Sequence, residues 1–282
     1  MSTPVRGPAL GWLPRSLRAR LVAAVDGLAV RRAAELEARG GTAGIDPTDP
    51  QAVAAAFEAL YRPDFADAPP PQEPVRQAII DQFHRLYYHS PDSTWRNTTY
   101  RCTPIAKCPL DLWLYQEILA ELRPAWIIET GTFAGGSAYF LGDLCDTLGR
   151  GRIVSVDIAA KPNLPQHDRV SYLAGSSVDP EVVDRVVGMI DDGPVLVILD
   201  SDHSEAHVRA ELAAYAPLVP VGSYVIVEDT NVHGHPALPA HGPGPMEALD
   251  DFLASTDDFV VDEDMHKFLL TFNPRGYLRR VR

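Results

Sequence analysis

From residue 126 onward the chain alternates short, unbroken apolar runs with longer stretches whose apolar positions recur at helical spacing. Runs of this length rich in Val and Ile read as strands buried on both faces. They fall at 126–130, 152–157, 170–173, 195–200 and 223–228, followed by 259–262 and 268–272. Helical patterns at 136–147, 180–189, 205–216 and 245–254 fill most of the gaps. Such alternation predicts an α/β domain built on a doubly wound, mostly parallel sheet of seven strands. The short spacing between the last two runs predicts an antiparallel final strand at 268–272.

Upstream the pattern changes. Residues 16–39 place Leu17, Leu21, Val22, Val25, Leu28, Ala29, Ala33 and Leu36 at helical intervals and stop at Gly40-Gly41, which predicts an amphipathic helix. A second helix is predicted over 50–61, with Asp49 as its cap. The proline run at 68–74 then breaks regular structure, so a boundary is placed near residue 70. Residues 1–70 are therefore expected to be a helical appendage, serving oligomerisation or folding over the site as a lid, and 71–282 the main domain. Within the latter, helices are predicted at 75–88 and 110–121, separated by a polar loop over 90–110 that is positioned to cover a site.

Two of the strand runs end abruptly in acids. Val195-Leu-Val-Ile-Leu leads into Asp200, Asp202 and His203, and Tyr224-Val-Ile-Val into Glu228 and Asp229. Ligands of open α/β sheets bind at the carboxyl ends of the strands, so these residues are expected to meet in one crevice. Carboxylates crowded there repel one another unless a hard cation sits among them, and oxygen-rich sets suit Mg²⁺.

Composition narrows the partners. A chain of 282 residues that is 46% hydrophobic and 22% charged is ordinary globular material. A net charge of −13 argues against a nucleic-acid binder, whose affinity comes from clustered Lys and Arg, and small-molecule partners are expected. Cys102, Cys108 and Cys145 are too few and too scattered for a disulfide framework. Neither a secretory leader nor an apolar span of membrane length is recognisable, and a cytoplasmic location is expected.

The first strand runs into Glu129-Thr-Gly131-Thr-Phe-Ala-Gly135-Gly136-Ser137 and then a helix. Glycines there let backbone pass close to a ligand, and the helix N-terminus favours an anionic group. The spacing departs from GxGxxG, and no basic residue answers a pyrophosphate. The second strand ends at Asp157, placed to accept hydrogen bonds from ribose hydroxyls. A ribose ligand with an amino-acid tail fits better than a dinucleotide.

With these runs in view, the chain resembles the class I S-adenosylmethionine-dependent methyltransferases. Within them it resembles the cephalosporin-hydroxylase-type family that includes rhamnosyl O-methyltransferases. The resemblance covers roughly residues 107–282, through ETGTFAGGS, GRIVSVDI, VILDSDHS, GSYVIVEDTN, HGPGPMEALDDFL and KFLLTFNPRGYLRR. It implies a Rossmann-like fold, with Gly131 and Ser137 on the methionine portion of the cofactor, Asp157 on the ribose, and Ser176 and Ser177 beside the adenine. Glu129, Gly135 and Asp200 complete the expected cofactor set. Likeness to catechol-type and macrolide-sugar O-methyltransferases further implies that Asp200, Glu228 and Asp229 hold Mg²⁺, with Asp202 as the competitor of Asp200.

His203 lies where metal-dependent relatives keep a basic side chain. An imidazole there can take the proton of a hydroxyl acidified by an adjacent cation, with Asp200 as the other catalytic residue; alternatively it caps a helix or orients Asp200. Asn231 is a candidate outer donor. His233, His235, His241 and His266 match no structural zinc spacing. Residues 234–245 are expected to face the acceptor, and Trp95, Tyr100, Trp113 and Tyr115 to offer an aromatic wall or core packing.

The expected activity is S-adenosylmethionine- and Mg²⁺-dependent O-methylation of a small natural product, such as a deoxysugar of a glycoside in antibiotic biosynthesis, by a homo-oligomer. The rival readings are a hydroxylase or its partner, and a non-catalytic cofactor-binding module.

Overall fold

The computed structural model describes residues 73–282, so the helices expected over 1–70 lie outside the described residues. The described chain opens with helix α1 (Glu73–His89). A two-stranded ribbon follows, β1 (Thr99–Tyr100) and β2 (Thr103–Pro104), inside the stretch expected to be a plain loop. Helix α2 (Pro109–Leu122) starts at a proline, whose missing N–H and fixed φ suit the first helical position. The alternating region is β3 (Trp126–Thr130), α3 (Gly136–Leu148), β4 (Arg152–Asp157), β5 (Val170–Ala174), α4 (Pro180–Met189), β6 (Val195–Leu199), α5 (Glu205–Tyr215), β7 (Tyr224–Val227), α6 (Pro245–Ser255), β8 (Phe259–Val261) and β9 (Tyr277–Arg280).

These strands form one seven-stranded sheet in the order β5-β4-β3-β6-β7-β9-β8. β5, β4, β3, β6 and β7 are parallel, and β9 runs antiparallel to both β7 and β8. The chain winds outward from β3 to β5 and then returns to β6 on the other side of β3. The switch point between β3 and β6 opens a crevice at the strand ends.

Successive side chains of a strand point to opposite faces, and here both faces are covered. Ile128, Val154, Val197 and Val225 pack with Val186 of α4, Leu212 and Tyr215 of α5 and Leu249 of α6. Ile127, Ile153, Leu196 and Ile226 pack on the other side with Leu114 and Ile118 of α2 and Leu141 and Cys145 of α3. Helix α4 begins at Pro180 behind Asp179, which accepts from the Glu181 amide at 2.9 Å. Among the described residues no helix is long and apolar enough to cross a membrane.

The expected last strand at 268–272 is not a strand. Its apolar run instead turns inward: Phe272 is buried against Tyr87 and Tyr88, with ring centroids 5.4 and 5.2 Å away. Asp111 of α2, fully buried, holds this segment by accepting from the Phe272 amide at 2.8 Å and the Tyr277 hydroxyl at 2.9 Å. The antiparallel strand follows as β9.

Two outcomes test this arrangement. A Cβ on Gly276 would lie 2.2 Å from the Val227 carbonyl oxygen, so Gly276→Ala should cost about 1–3 kcal/mol in chemical denaturation. Burial raises the Asp111 carboxyl from 3.8 to about 7, against the hydrogen bonds it receives from Thr271, Phe272 and Tyr277. The native state therefore holds this proton more tightly than the unfolded chain. The stability this gives is complete below the unfolded value and is lost as pH rises from about 4 to about 7, at up to about 1.4 kcal/mol per pH unit. Urea unfolding at pH 5 and pH 8 should show a smaller pH dependence for Asp111→Asn than for the wild type.

Candidate functional site

The site is assembled at the carboxyl ends of β3, β4, β6 and β7. Asp200 follows β6, and Asp229 follows β7 in a left-handed conformation with φ of 55°, which a short polar side chain tolerates. Asp200, His203 and Asp229 bring one ligand atom each to within 4.8 Å of one another. His203 Nε2 lies 3.3 Å from Asp229 Oδ2. The Tyr88 hydroxyl of α1 donates to Asp229 Oδ1 at 3.2 Å. The Asn273 side chain accepts from the Asp229 amide at 2.9 Å.

Glu228, expected beside Asp229 in the metal set, is not part of this cluster. Its Oε1 receives bonds from Lys107 Nζ and the Tyr115 hydroxyl in the interior. Consecutive residues at a strand end point to opposite sides, so one of the pair turns inward. Lys107 is the residue that sequence reasoning left in the covering loop without a role. Its side chain is 3% exposed, and Nζ bridges Glu228 and Asp200, with Asp200 Oδ2 at 2.5 Å. Burial opposes its charge, but the carboxylates of Asp200, Glu228 and Glu129 outweigh that and hold its ammonium above the ordinary lysine range. Burial likewise raises the proton affinity of Asp200, Glu228 and Asp229 while Lys107 lowers it. Three acids thus share one ammonium and one imidazole, and the crevice keeps an excess of negative charge.

Asp202 stands apart. Its Oδ1 accepts from the Ser204 amide at 2.8 Å in the turn that starts α5, and those bonds from Ser204 hold its carboxyl below the ordinary range. Asn231 is buried behind the site, paired with His84 at 3.0 Å.

Two cavities flank the switch point. One, of about 430 Å³, is lined by Asp157, Ile158, Ser176, Ser177, Asp202 and His207. The other, of about 420 Å³, is lined by Asp200, His203 and Asp229 together with Trp95, Phe133 and Ser137. Gly131 and Ser201 line both, so the cavities meet there. Gly131 has φ of 88°, and a Cβ on it would fall 1.8 Å from the Asp200 carbonyl oxygen. Only glycine lets the β3 turn lie against the β6 turn in this way.

The remaining expected cofactor residues divide by position. Asp157 Oδ2 accepts from the Phe133 amide at 3.1 Å, tying the end of β4 to the glycine turn. Glu129 and Gly135 line neither cavity. Gly135 packs beside Pro165 and Leu164. Glu129 is fully buried; its Oε2 accepts from Ser155 Oγ at 2.6 Å, and its Oε1 has no partner among the described residues. Burial raises this carboxyl to about 7, although Lys107, Ser137 and Ser155 pull it down. Of the four candidate aromatics, Trp95 alone lines the acid cavity, stacked on Tyr88 at 5.7 Å. Tyr100 donates to Asp143, Trp113 is exposed, and Tyr115 is core. The stretch 234–245 contributes nothing to either cavity, and His235 pairs with Glu247 at 2.7 Å.

Residues 92–281 match the family model described as rhamnosyl O-methyltransferase/CmcI. A rhamnosyl O-methyltransferase of Mycobacterium tuberculosis (strain ATCC 25618 / H37Rv) is 37% identical over 214 residues, covering 72% of this chain and 85% of that protein. Its counterpart in Mycobacterium leprae (strain TN) is 36% identical over 213 residues, covering 72% and 91%. Among solved structures, apo CmcI-N160 aligns with a TM-score of 0.53 at 24% identity, over 66% of this chain and 77% of that one. CmcI-D160 described with Mg and SAM aligns at 0.51 and 22% identity, over 66% and 78%. At these identities the structures establish a common fold.

The buried lysine is open to direct test. Lys107→Met leaves Asp200 and Glu228 without their shared partner and should cost about 3–5 kcal/mol in urea unfolding. Adding Glu228→Gln to that variant should recover part of the loss.

Proposed function

The chain belongs to the rhamnosyl O-methyltransferase/CmcI family, and from that premise we propose that it transfers a methyl group from S-adenosylmethionine to a hydroxyl of a small glycoside, with Mg²⁺ in the acidic crevice. The observation that carries this reading is the meeting of the two cavities at Gly131 and Ser201. A cofactor in the first would present its reactive end to an acceptor in the second. The residues fit both groups. Asp157 lines the first cavity at the end of β4, where a carboxylate suits ribose hydroxyls. Asp200 and Asp229 offer hard carboxylate oxygens in a crevice with excess negative charge, which suits Mg²⁺.

When bound, the cofactor supplies an electrophilic sulfonium methyl and the cation acidifies a neighbouring hydroxyl. The chain's own residues do the rest. Trp95 and Phe133 wall the acceptor side, and the glycine turn sets the distance between the reactants, the largest contribution expected for such a transfer. His203, which lines the acid cavity, is the base that would take the proton of the acceptor hydroxyl. Asp229 Oδ2, 3.3 Å from His203 Nε2, would stabilise the imidazolium so formed. Glu228 keeps Lys107 in place and stays outside the ligand set. A hydroxylase of the two-histidine, one-carboxylate type would need a second imidazole in the cluster, where the described residues place two carboxylates and one histidine.

The reading is tested by calorimetry with S-adenosylmethionine and Mg²⁺, then by methyl transfer to hydroxylated glycosides, rhamnosyl ones first. His203→Ala should lower kcat by about 10²–10⁴-fold while leaving cofactor binding unchanged. Asp200→Asn should weaken Mg²⁺ binding, and chelator should abolish turnover. Absence of cofactor binding, or turnover that survives both substitutions, would overturn the proposal.

A further inference from the structure

Each of the two acids that face the crevice has one oxygen already engaged by the protein. Asp200 Oδ2 accepts from Lys107 Nζ at 2.5 Å, and Asp229 Oδ1 accepts from the Tyr88 hydroxyl at 3.2 Å. Tyr88 comes from the last turn of α1 and is 8% exposed. Its ring is packed by Trp95 and Phe272, with centroids 5.7 and 5.2 Å away. The hydroxyl also lies 3.4 Å from Asn231 Oδ1. It has a single proton to give, and the ionised carboxylate is both the nearer and the stronger acceptor. Asn231 is fixed in turn by His84, one turn earlier on the same face of α1, with Nδ2 3.0 Å from His84 Nδ1.

Asp229 is therefore held in one orientation. Its amide donates to Asn273 Oδ1 at 2.9 Å, Oδ1 is tied to Tyr88, and Oδ2 is turned to His203. A carboxylate with one oxygen so engaged has the other to offer a cation, whereas a carboxylate with both oxygens free can chelate through the two. Mg²⁺ demands a near-octahedral set and is served by single oxygens and water, while the larger Ca²⁺ accepts both oxygens of one carboxylate.

We propose that Tyr88 is a positioning residue that confines Asp229 to ligation through one oxygen and thereby tilts the crevice toward Mg²⁺ over Ca²⁺. This rests on the assignment of a divalent cation to Asp200 and Asp229. Lys107 acts on Asp200 in the same sense, but its loss also uncovers Glu228, so Tyr88 is the cleaner probe.

The experiment is calorimetric titration of Mg²⁺ and of Ca²⁺ into the full chain, with S-adenosylhomocysteine present throughout. The wild type should bind Mg²⁺ more tightly than Ca²⁺. Tyr88→Phe keeps the packed ring and removes only the donor. It should weaken Mg²⁺ binding about ten-fold, while Ca²⁺ binding holds or tightens, so the ratio of the two affinities falls by about ten-fold or more. His84→Ala loosens the same face of α1 without freeing an oxygen of Asp229, and its ratio should stay at the wild-type value. Each ratio is taken within one variant, so a general loss of stability, which lowers both affinities together, does not mimic the result. A ratio unchanged in Tyr88→Phe, or lowered equally in His84→Ala, would overturn the proposal, as would a wild type that prefers Ca²⁺. Wild-type protein that binds neither cation would overturn the cation assignment itself, and this inference with it.

Discussion

The ion pair at the floor of the crevice is the constraint around which the site is arranged. Three carboxylates gather at the ends of two neighbouring strands, and in a poorly solvated place their repulsion would push the strand tips apart. Lys107 prevents this by bridging Asp200 and Glu228. It arrives from the segment between the short ribbon and α2, so the same contact that neutralises the acids also seats that segment over the switch point. Tyr115 of α2 completes the shell around Glu228. Removing the ammonium would therefore disturb the tips of β6 and β7, the start of α2 and the wall formed by Pro104 and Ile105 together.

A buried lysine so engaged is unfit to accept a proton. The neighbouring carboxylates stabilise its charged form, whereas His203 is in contact with a single acid and partly open to the cavity. The division of labour follows from position: Glu228 and Lys107 satisfy each other inside, while Asp200 and Asp229 keep oxygens toward the crevice.

Much of this was legible in the sequence, for reasons that also explain what was not. The strands β3, β4, β6 and β7 are β-branched runs buried on both faces, and little else in a soluble chain looks like them. Asp157, Asp200, His203 and Asp229 were readable as the residues that end such runs. The last strand was not, because Phe268–Phe272 is more apolar than Tyr277–Arg280, and composition favoured the segment that packs on α1 over the one that pairs with β7. The inward turn of Glu228 was not readable, because the likeness that paired it with Asp229 says nothing of Lys107 and Tyr115, whose bonds hold its Oε1 in the interior. Lys107 gave no signal, since a lone lysine in a polar loop looks solvated. The clue lay in charge balance, because a cluster of acids that dense required an internal cation.

The contact of Gly131 with the Asp200 carbonyl leaves no slack between the two turns. The turn beneath the first cavity and the turn that carries the acid of the second behave as one rigid part, like two leaves of a hinge fastened flat. Neither can be lengthened, shifted or given a side chain at that point without moving the other. Room for a changed side chain exists only away from the junction, in the outer walls, where Trp95, Arg96 and Phe133 stand. There the shape of the second cavity can change while the junction between the two stays fixed.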